Sequence, residues 1–371
     1  MQGCEELYCM THVEPGTGKI DRSVVLSHGY LNLSKEFLRI TQRGDLIELE
    51  NLSSKYRIEN WTIFRHDVSG DTALHISARE GYLDIVKYLC TNWQNPLLKV
   101  NVVNKDMKSP LHEAAQFSRY YIVDYLIQQG ATVDSLKRAD WTPLMMACTK
   151  NSADALNCIK GLLKAGADLT IRNKDGWTPL HVACRVGNIN IIQLLLKEKP
   201  ECATIRTNNG RTTLHIAEGG KLDDFVSWNF LLGQFLFCVW FSCPLKIMEC
   251  KFLAFHGHID VMDALISVQS DLLHACDSTG GTPLYEAVKC RNFDAFKHLI
   301  NLGSDVQFID VVGQTILHVA ASVGNISVID YILTNGLIDV HCKDNFGITA
   351  LALAERNKGD NNCVDLLKKY I

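Results

Sequence analysis

Trp177-Thr178-Pro179-Leu180-His181-Val182-Ala183-Cys184 reads as the start of a helix with its cap attached. The Thr178 hydroxyl is placed to cap the first turn, and Pro179 falls at the first helical position, where a missing N–H costs nothing. Leu180, Ala183 and Cys184 share one face at helical spacing, and Gly187 breaks the helix into a turn. Ile191, Ile192, Leu194, Leu195 and Leu196 then supply a second helix. The phrase recurs as Asp71-TALHISA, Lys108-SPLHEAA, Trp141-TPLMMAC, Arg211-TTLHIAE, Gly281-TPLYEAV, Gln314-TILHVAA and Ile348-TALALAE. Its leucines, Leu74, Leu111, Leu144, Leu180, Leu214, Leu284, Leu317 and Leu351, are separated by 37, 33, 36, 34, 70, 33 and 34 residues. Neither helix of a unit can bury that much apolar surface alone, so each unit must stack on its neighbours.

Eight copies of T-P-L-H-x-A at a period of about 33 residues resemble the ankyrin-repeat family, from about Ser34 to the end of the chain. The resemblance implies an all-α ankyrin-repeat solenoid of about eight repeats plus an N-terminal capping unit. Ser34-KEFLRITQR-Gly44-DLIELENL has the helix, glycine turn and helix of a repeat without TPLH, and carries the extra charge of an outward-facing cap. Residues 1–33 show no period and read as a disordered leader. Leu353 to Ile371 closes the array, with Lys368 and Lys369 at the end that the helix dipole favours for cations.

The interval of 70 is the anomaly. Joining Ala217 to Ala254 completes a repeat and returns the interval to 34, so 218–253 reads as an insertion of 36 residues between segments 34–217 and 254–371. Between Asp224 and Lys246 it runs FVSWNFLLGQFLFCVWFSCPL, 21 residues without charge and with seven aromatics. Length and hydropathy make 225–245 a transmembrane candidate. Against a span, repeats on both sides of it need each other's stacking surface. A functional loop is a second reading. The third and favoured one is non-homologous sequence such as translated intron, since the composition suits neither a polar loop nor a repeat helix.

A net charge of -4 argues against direct nucleic-acid binding, which wants a basic footprint. No secretory leader or myristoylation start is present, so the chain is expected in the cytoplasm, with the nucleus as a further site, as a monomer. Of 14 cysteines, Cys148 and Cys184 occupy the small-residue slot of the repeat, and no paired C-x-x-C spacing appears, which points to structural thiols. His75, His112, His181, His215 and His318 repeat at the fourth position of the phrase and read as structural hydrogen-bonding groups. No catalytic constellation, metal site or cofactor motif is found, and the chain is not read as an enzyme.

What remains is a recognition surface. The tips preceding the phrase carry Lys105 and Lys108, Lys137 and Arg138, Arg172 and Lys174, and Arg206 and Arg211, whereas later tips carry Asp277 and Asp310. With Trp141 and Trp177, the residues Lys108, Lys137, Arg138, Arg172 and Arg211 form the expected protein-binding set, because Trp and Arg are common interface anchors. The segment Leu136-KRADWTPLMMACTK, with Met145 where histidine belongs, and Asn173–Trp177 resemble the family of ankyrin repeat domain-containing protein 16. That resemblance implies a proofreading cofactor that docks on the catalytic domain of alanyl-tRNA synthetase and takes misactivated serine onto lysines, limiting mischarging and supporting translational fidelity. Of the three lysine positions it implies, Lys174 is matched; Arg138 and Thr204 stand at the other two and are not amine acceptors. A scaffold for an unrelated intracellular partner is the alternative.

Overall fold

The computed structural model describes residues 28–58, 60–91, 100–218, 258–356 and 361–371. Helices dominate these residues, and no strand occurs among them beyond the isolated bridges Lys137–Trp141 and Lys343–Thr349. The fold is the expected all-α ankyrin-repeat class. It divides into two compact units, Met1–Lys174 and Asp175–Ile371.

In the first unit the capping pair is α1 (His28–Arg43) and α2 (Leu46–Tyr56), joined at Gly44, whose φ is +77°. Helix α1 begins six residues before the boundary at 33 read from the sequence; residues 1–27 of the expected leader lie outside the described residues. Three helix pairs follow: α3 (Ala73–Glu80) with α4 (Leu83–Thr91), α5 (Pro110–Gln116) with α6 (Tyr120–Gln128), and α7 (Pro143–Ala147) with α8 (Ala153–Lys164). First helices stack on first helices, α1 on α3, α3 on α5 and α5 on α7, and α6 packs on α8. Phe37, Trp61, Leu74, Leu89, Leu111 and Leu126 are fully buried in this stack. Trp61 reconciles burial with polarity by donating its Nε1–H to the Leu89 carbonyl at 3.2 Å.

The second unit holds α9 (Pro179–Val186) with α10 (Ile189–Glu198), α11 (Thr213–Glu218) with α12 (Ile259–Val268), α13 (Pro283–Lys289) with α14 (Phe293–Asn301), α15 (Ile316–Val323) with α16 (Ile326–Thr334), and α17 (Ala350–Arg356) with α18 (Asn361–Lys369). In α9 the sequence reading holds at each point: Thr178 caps with its hydroxyl, Pro179 leads, and Gly187 ends the helix at φ +76°. Helix α11 packs on α9, α12 and α13, so both sides of the 70-residue interval meet in one repeat. From N-cap threonine or serine to the first residue of the partner helix takes 11 residues at Thr72–Leu83, Ser109–Tyr120, Thr142–Ala153, Thr178–Ile189, Thr282–Phe293 and Thr315–Ile326. From Thr212 to Ile259 it takes 47, an excess of 36, the length assigned to the insertion. Residues 219–257, which hold the transmembrane candidate, lie outside the described residues, and no helix among the described ones is long and apolar enough to cross a membrane.

Candidate partner interface

Four histidines join a helix start to the next tip. Thr72 donates its N–H to His75 Nδ1 at 3.3 Å, and Nε2 reaches the Lys108 carbonyl at 2.9 Å. His112, His215 and His318 repeat this with the carbonyls of Trp141, Gly281 and Ile348 at 3.0, 3.1 and 3.1 Å. With Nδ1 accepting, Nε2 must carry the proton, so the neutral ring is the form that fits. Burial lowers the His75 pKa and holds those of His112 and His215 down at about 4. Tyr285 stands where histidine belongs and makes the same link with its hydroxyl, donating to the Gln314 carbonyl at 2.7 Å and the Phe308 carbonyl at 2.6 Å.

The tips are held by a side-chain acceptor four residues before the residue that precedes the phrase. Asn104 Oδ1 accepts from the N–H groups of Asp106 and Lys108 at 2.9 and 3.0 Å. Asp277, Asp310 and Asp344 cradle their tips in the same way, and Thr207 Oγ1 accepts from Arg211 N–H at 3.1 Å. Adjacent tips are tied by their backbones: Lys105 N–H to Ser69, Arg138 N–H to Asp106, and Lys174 N–H to Ala139, at 3.0, 2.8 and 3.1 Å. A row of fingers with fixed main chain and variable side chains results within the first unit.

On this frame the expected binding residues divide. Lys108 pairs at 3.3 Å with Glu113, an approach without hydrogen-bond geometry, and donates to Gln116 at 2.8 Å. Glu113, buried on α5, also takes Arg79 Nε at 3.0 Å, and Arg79 reaches back to Asp71 at 2.7 Å. Burial disfavours both carboxylates, yet Lys108 and Arg79 lower the Glu113 pKa, and Arg79 with Asn104 holds Asp71 at about 2. Arg211 makes the corresponding bond to buried Glu286 in the second unit, at 2.9 Å. Lys108 and Arg211 therefore stabilise the stack internally, a use the expectation of a purely external stripe did not include.

Trp141, a member of the expected binding set, is buried. It is 8% exposed, its carbonyl is held by His112 and by Lys137 N–H, and Lys137 Nζ lies 5.6 Å from its ring centroid. Lys137 itself is buried rather than projecting. Trp177, in the second unit, is half-buried, with the Arg185 guanidinium 5.5 Å from its ring centroid. Arg138, Arg172 and Lys174 are exposed, and Arg138 pairs loosely with Asp106 at 3.6 Å. Thr204 is exposed too and donates to the Glu201 carbonyl at 2.9 Å. The described cysteines are free thiols; burial pushes Cys90 and Cys158 up to about 12, as inert structural groups require. Among the described residues no cluster of His, Cys, Asp and Glu could hold a metal ion.

Comparison with known proteins agrees with this geometry. The family described as ankyrin repeats (3 copies) matches residues 95–173, 144–228 and 295–371, and the single ankyrin repeat matches 69–105. The human transient receptor potential cation channel subfamily A member 1 is 27% identical over 84% of this chain and 28% of its own length. The ankyrin repeat and KH domain-containing protein mask-1 of Caenorhabditis elegans is 26% identical over 71% of this chain and 10% of its own. The target of rapamycin complex 2 subunit AVO2 of Saccharomyces cerevisiae is 30% identical over 50% and 41%. The chain thus spans less than half the length of these relatives. On the family matches and the repeat geometry together, the chain belongs to the ankyrin-repeat family, whose stacked units imply a protein–protein interaction scaffold.

Proposed function

We propose that this scaffold serves in the cytoplasm as a proofreading cofactor that docks on the catalytic domain of alanyl-tRNA synthetase and captures misactivated serine on Lys174. The observation that carries the reading is Lys174 itself: its backbone is pinned to the neighbouring tip through Ala139 at 3.1 Å while its side chain is exposed, so the amine has reach from a fixed base. Seryl adenylate is a mixed anhydride. The neutral Nζ adds to its carbonyl carbon, an amide forms, the bond to the phosphate oxygen breaks with AMP as leaving group, and the amine proton goes to water. The exposed cations Arg138 and Arg172, in the same unit as Lys174, are the candidate docking contacts.

Incubation of the full chain with alanyl-tRNA synthetase, ATP and labelled serine is expected to label the peptide containing Lys174, and Lys174→Arg is expected to bind the synthetase as well as wild type without accepting serine. Label spread evenly over exposed lysines would mean uncatalysed leakage of the adenylate. A second reading, a scaffold for an unrelated intracellular protein, is favoured by Arg138 and Thr204, which leave two of the three implied acceptor positions without an amine. Capture experiments from cytosol that return another protein and no synthetase would select it.

A further inference from the structure

One tip breaks the pattern of the others. The slot filled by Asn104, Thr207, Asp277, Asp310 and Asp344 holds a hydrogen-bond acceptor in each of those tips, and in the third repeat it holds Lys137, which can only donate. Lacking the acceptor, this tip turns on two consecutive left-handed residues, Ala139 at φ +66° and Asp140 at φ +62°, instead of the single one at Met107. The slot is buried, so the lysine is only 3% exposed and its Nζ sits 5.6 Å from the Trp141 ring centroid. The nearby carboxylates are engaged elsewhere: Asp106 with Arg138 at 3.6 Å, and Glu113 with Arg79 and Lys108 at 3.0 and 3.3 Å. Lys137 has no ion-pair partner among the described residues.

Burial and the charge of Lys108, with Arg138 adding to them and Asp106 and Glu113 opposing, bring the Lys137 amine down to about 8. About one such amine in ten is neutral at pH 7, against roughly one in a few thousand for a free lysine. A neutral amine is a nucleophile, and at 3% exposure this one is within reach only of a small electrophile. The charges of Lys108 and Arg138, which disfavour an ammonium, stabilise a carboxylate in the same place, against the cost of burying it and the repulsion of Asp106 and Glu113.

We propose that Lys137 is a carbamylation site, at which Nζ takes up carbon dioxide reversibly beside Lys108 and Arg138. The nitrogen lone pair adds to the carbon of CO2, an N–C bond forms, one C=O electron pair moves onto oxygen, and the nitrogen releases one proton to water. No oxidant, reductant or leaving group is involved. The charge at the tip changes from that of an ammonium to that of a carboxylate, which inverts the sign this finger presents.

The full chain incubated with isotopically labelled bicarbonate, treated with a trialkyloxonium reagent to trap carbamates, and digested for mass spectrometry is expected to carry label on the Lys137 peptide at least tenfold above the peptides of Lys105 and Lys174. Lys108→Gln should lower that label several-fold, and Lys137→Arg should abolish it. Equal label on exposed lysines, or none at Lys137 in folded protein, overturns the assignment. Should Lys137→Arg fail to fold, the pH dependence of trapping in wild type decides: a rise centred near pH 8 supports the site, and one centred above pH 10 overturns it.

Discussion

Three histidines that look like ligands or bases, His75, His112 and His215, are pH-sensitive joints of the fold. Each of the three accepts a backbone N–H at Nδ1 and uses Nε2 on the next tip's carbonyl, so protonating Nδ1 breaks a bond in a buried place. His112 and His215 are held at about 4 in the folded chain against the ordinary 6.5, and the unfolded chain therefore binds more protons between those values. Stability is complete above pH 6.5 and is lost as pH falls toward 4, by about 2 kcal/mol per histidine at pH 5. Asp71, at about 2, titrates below that window. Urea denaturation at pH 7.5, 6 and 5 measures this, and a midpoint that stays flat refutes it. Lys137 gives the opposite lesson at neutral pH. Its folded value of about 8 lies below the ordinary 10.5, so the folded state disfavours the ammonium and stability rises as pH climbs through that interval. Lys137→Met is expected to raise stability at pH 7 by about 1–2 kcal/mol, after subtracting the lost contact with Trp141, and to remove the rise above pH 8.

At the scale of the helix pair and its tip, most of the structure was legible because each part has a local cause. Threonine caps, prolines at the first helical position and glycines at +φ ends all announce themselves in the sequence, and Thr178, Pro179 and Gly187 do what they predict. What the sequence reading missed depends on contacts between repeats. Glu113 and Glu286 sit one residue after the histidine or tyrosine of the phrase, where other repeats carry apolar side chains, and that signal pointed to the internal pairs that occupy Lys108 and Arg211. Lys137 could have been found by aligning tips on the residue five before the threonine or serine of the phrase; Trp141, buried beside that lysine, carries no local signal of its burial. The glycines of the tips have a second use besides their left-handed φ. A Cβ on Gly210, at φ +72°, would stand 2.8 Å from the Ser278 backbone nitrogen, which donates to Asn209 at 2.9 Å, whereas a Cβ on Gly166, at φ +87°, meets nothing within 4 Å. Gly166→Ala should cost about 1–2 kcal/mol from the backbone conformation alone, and Gly210→Ala clearly more, because main chain must move. Equal losses in thermal melting would show that the ties between tips carry no weight.

Over the whole chain, a repeat array is approximately a sum of units and of the interfaces between neighbours, so a unit made from two distant pieces of sequence tests the architecture most directly. Helix α11 stops at Glu218, six residues long, where α3, α9 and α15 run eight, and α12 begins at Ile259. The two nevertheless pack together, α11 meets α9 and α13, and His215 reaches Gly281 at 3.1 Å as its counterparts reach their next tips. These contacts need only the residues on either side of the excess of 36. Deleting Glu218 to Leu253 joins Ala217 to Ala254 and restores the 11-residue step from cap to partner helix, with Phe255-His256-Gly257-His258 supplying the end of the first helix and its glycine turn. It also removes the 21 uncharged residues from Phe225 to Leu245, whose exposure to water is unfavourable in any arrangement. The shortened chain is expected to melt at the same temperature as the full one or higher, as a single helical species with less tendency to aggregate. Were the deletion to lower the midpoint or abolish folding, the segment would be part of the repeat it interrupts, and the arithmetic of the caps would be coincidence.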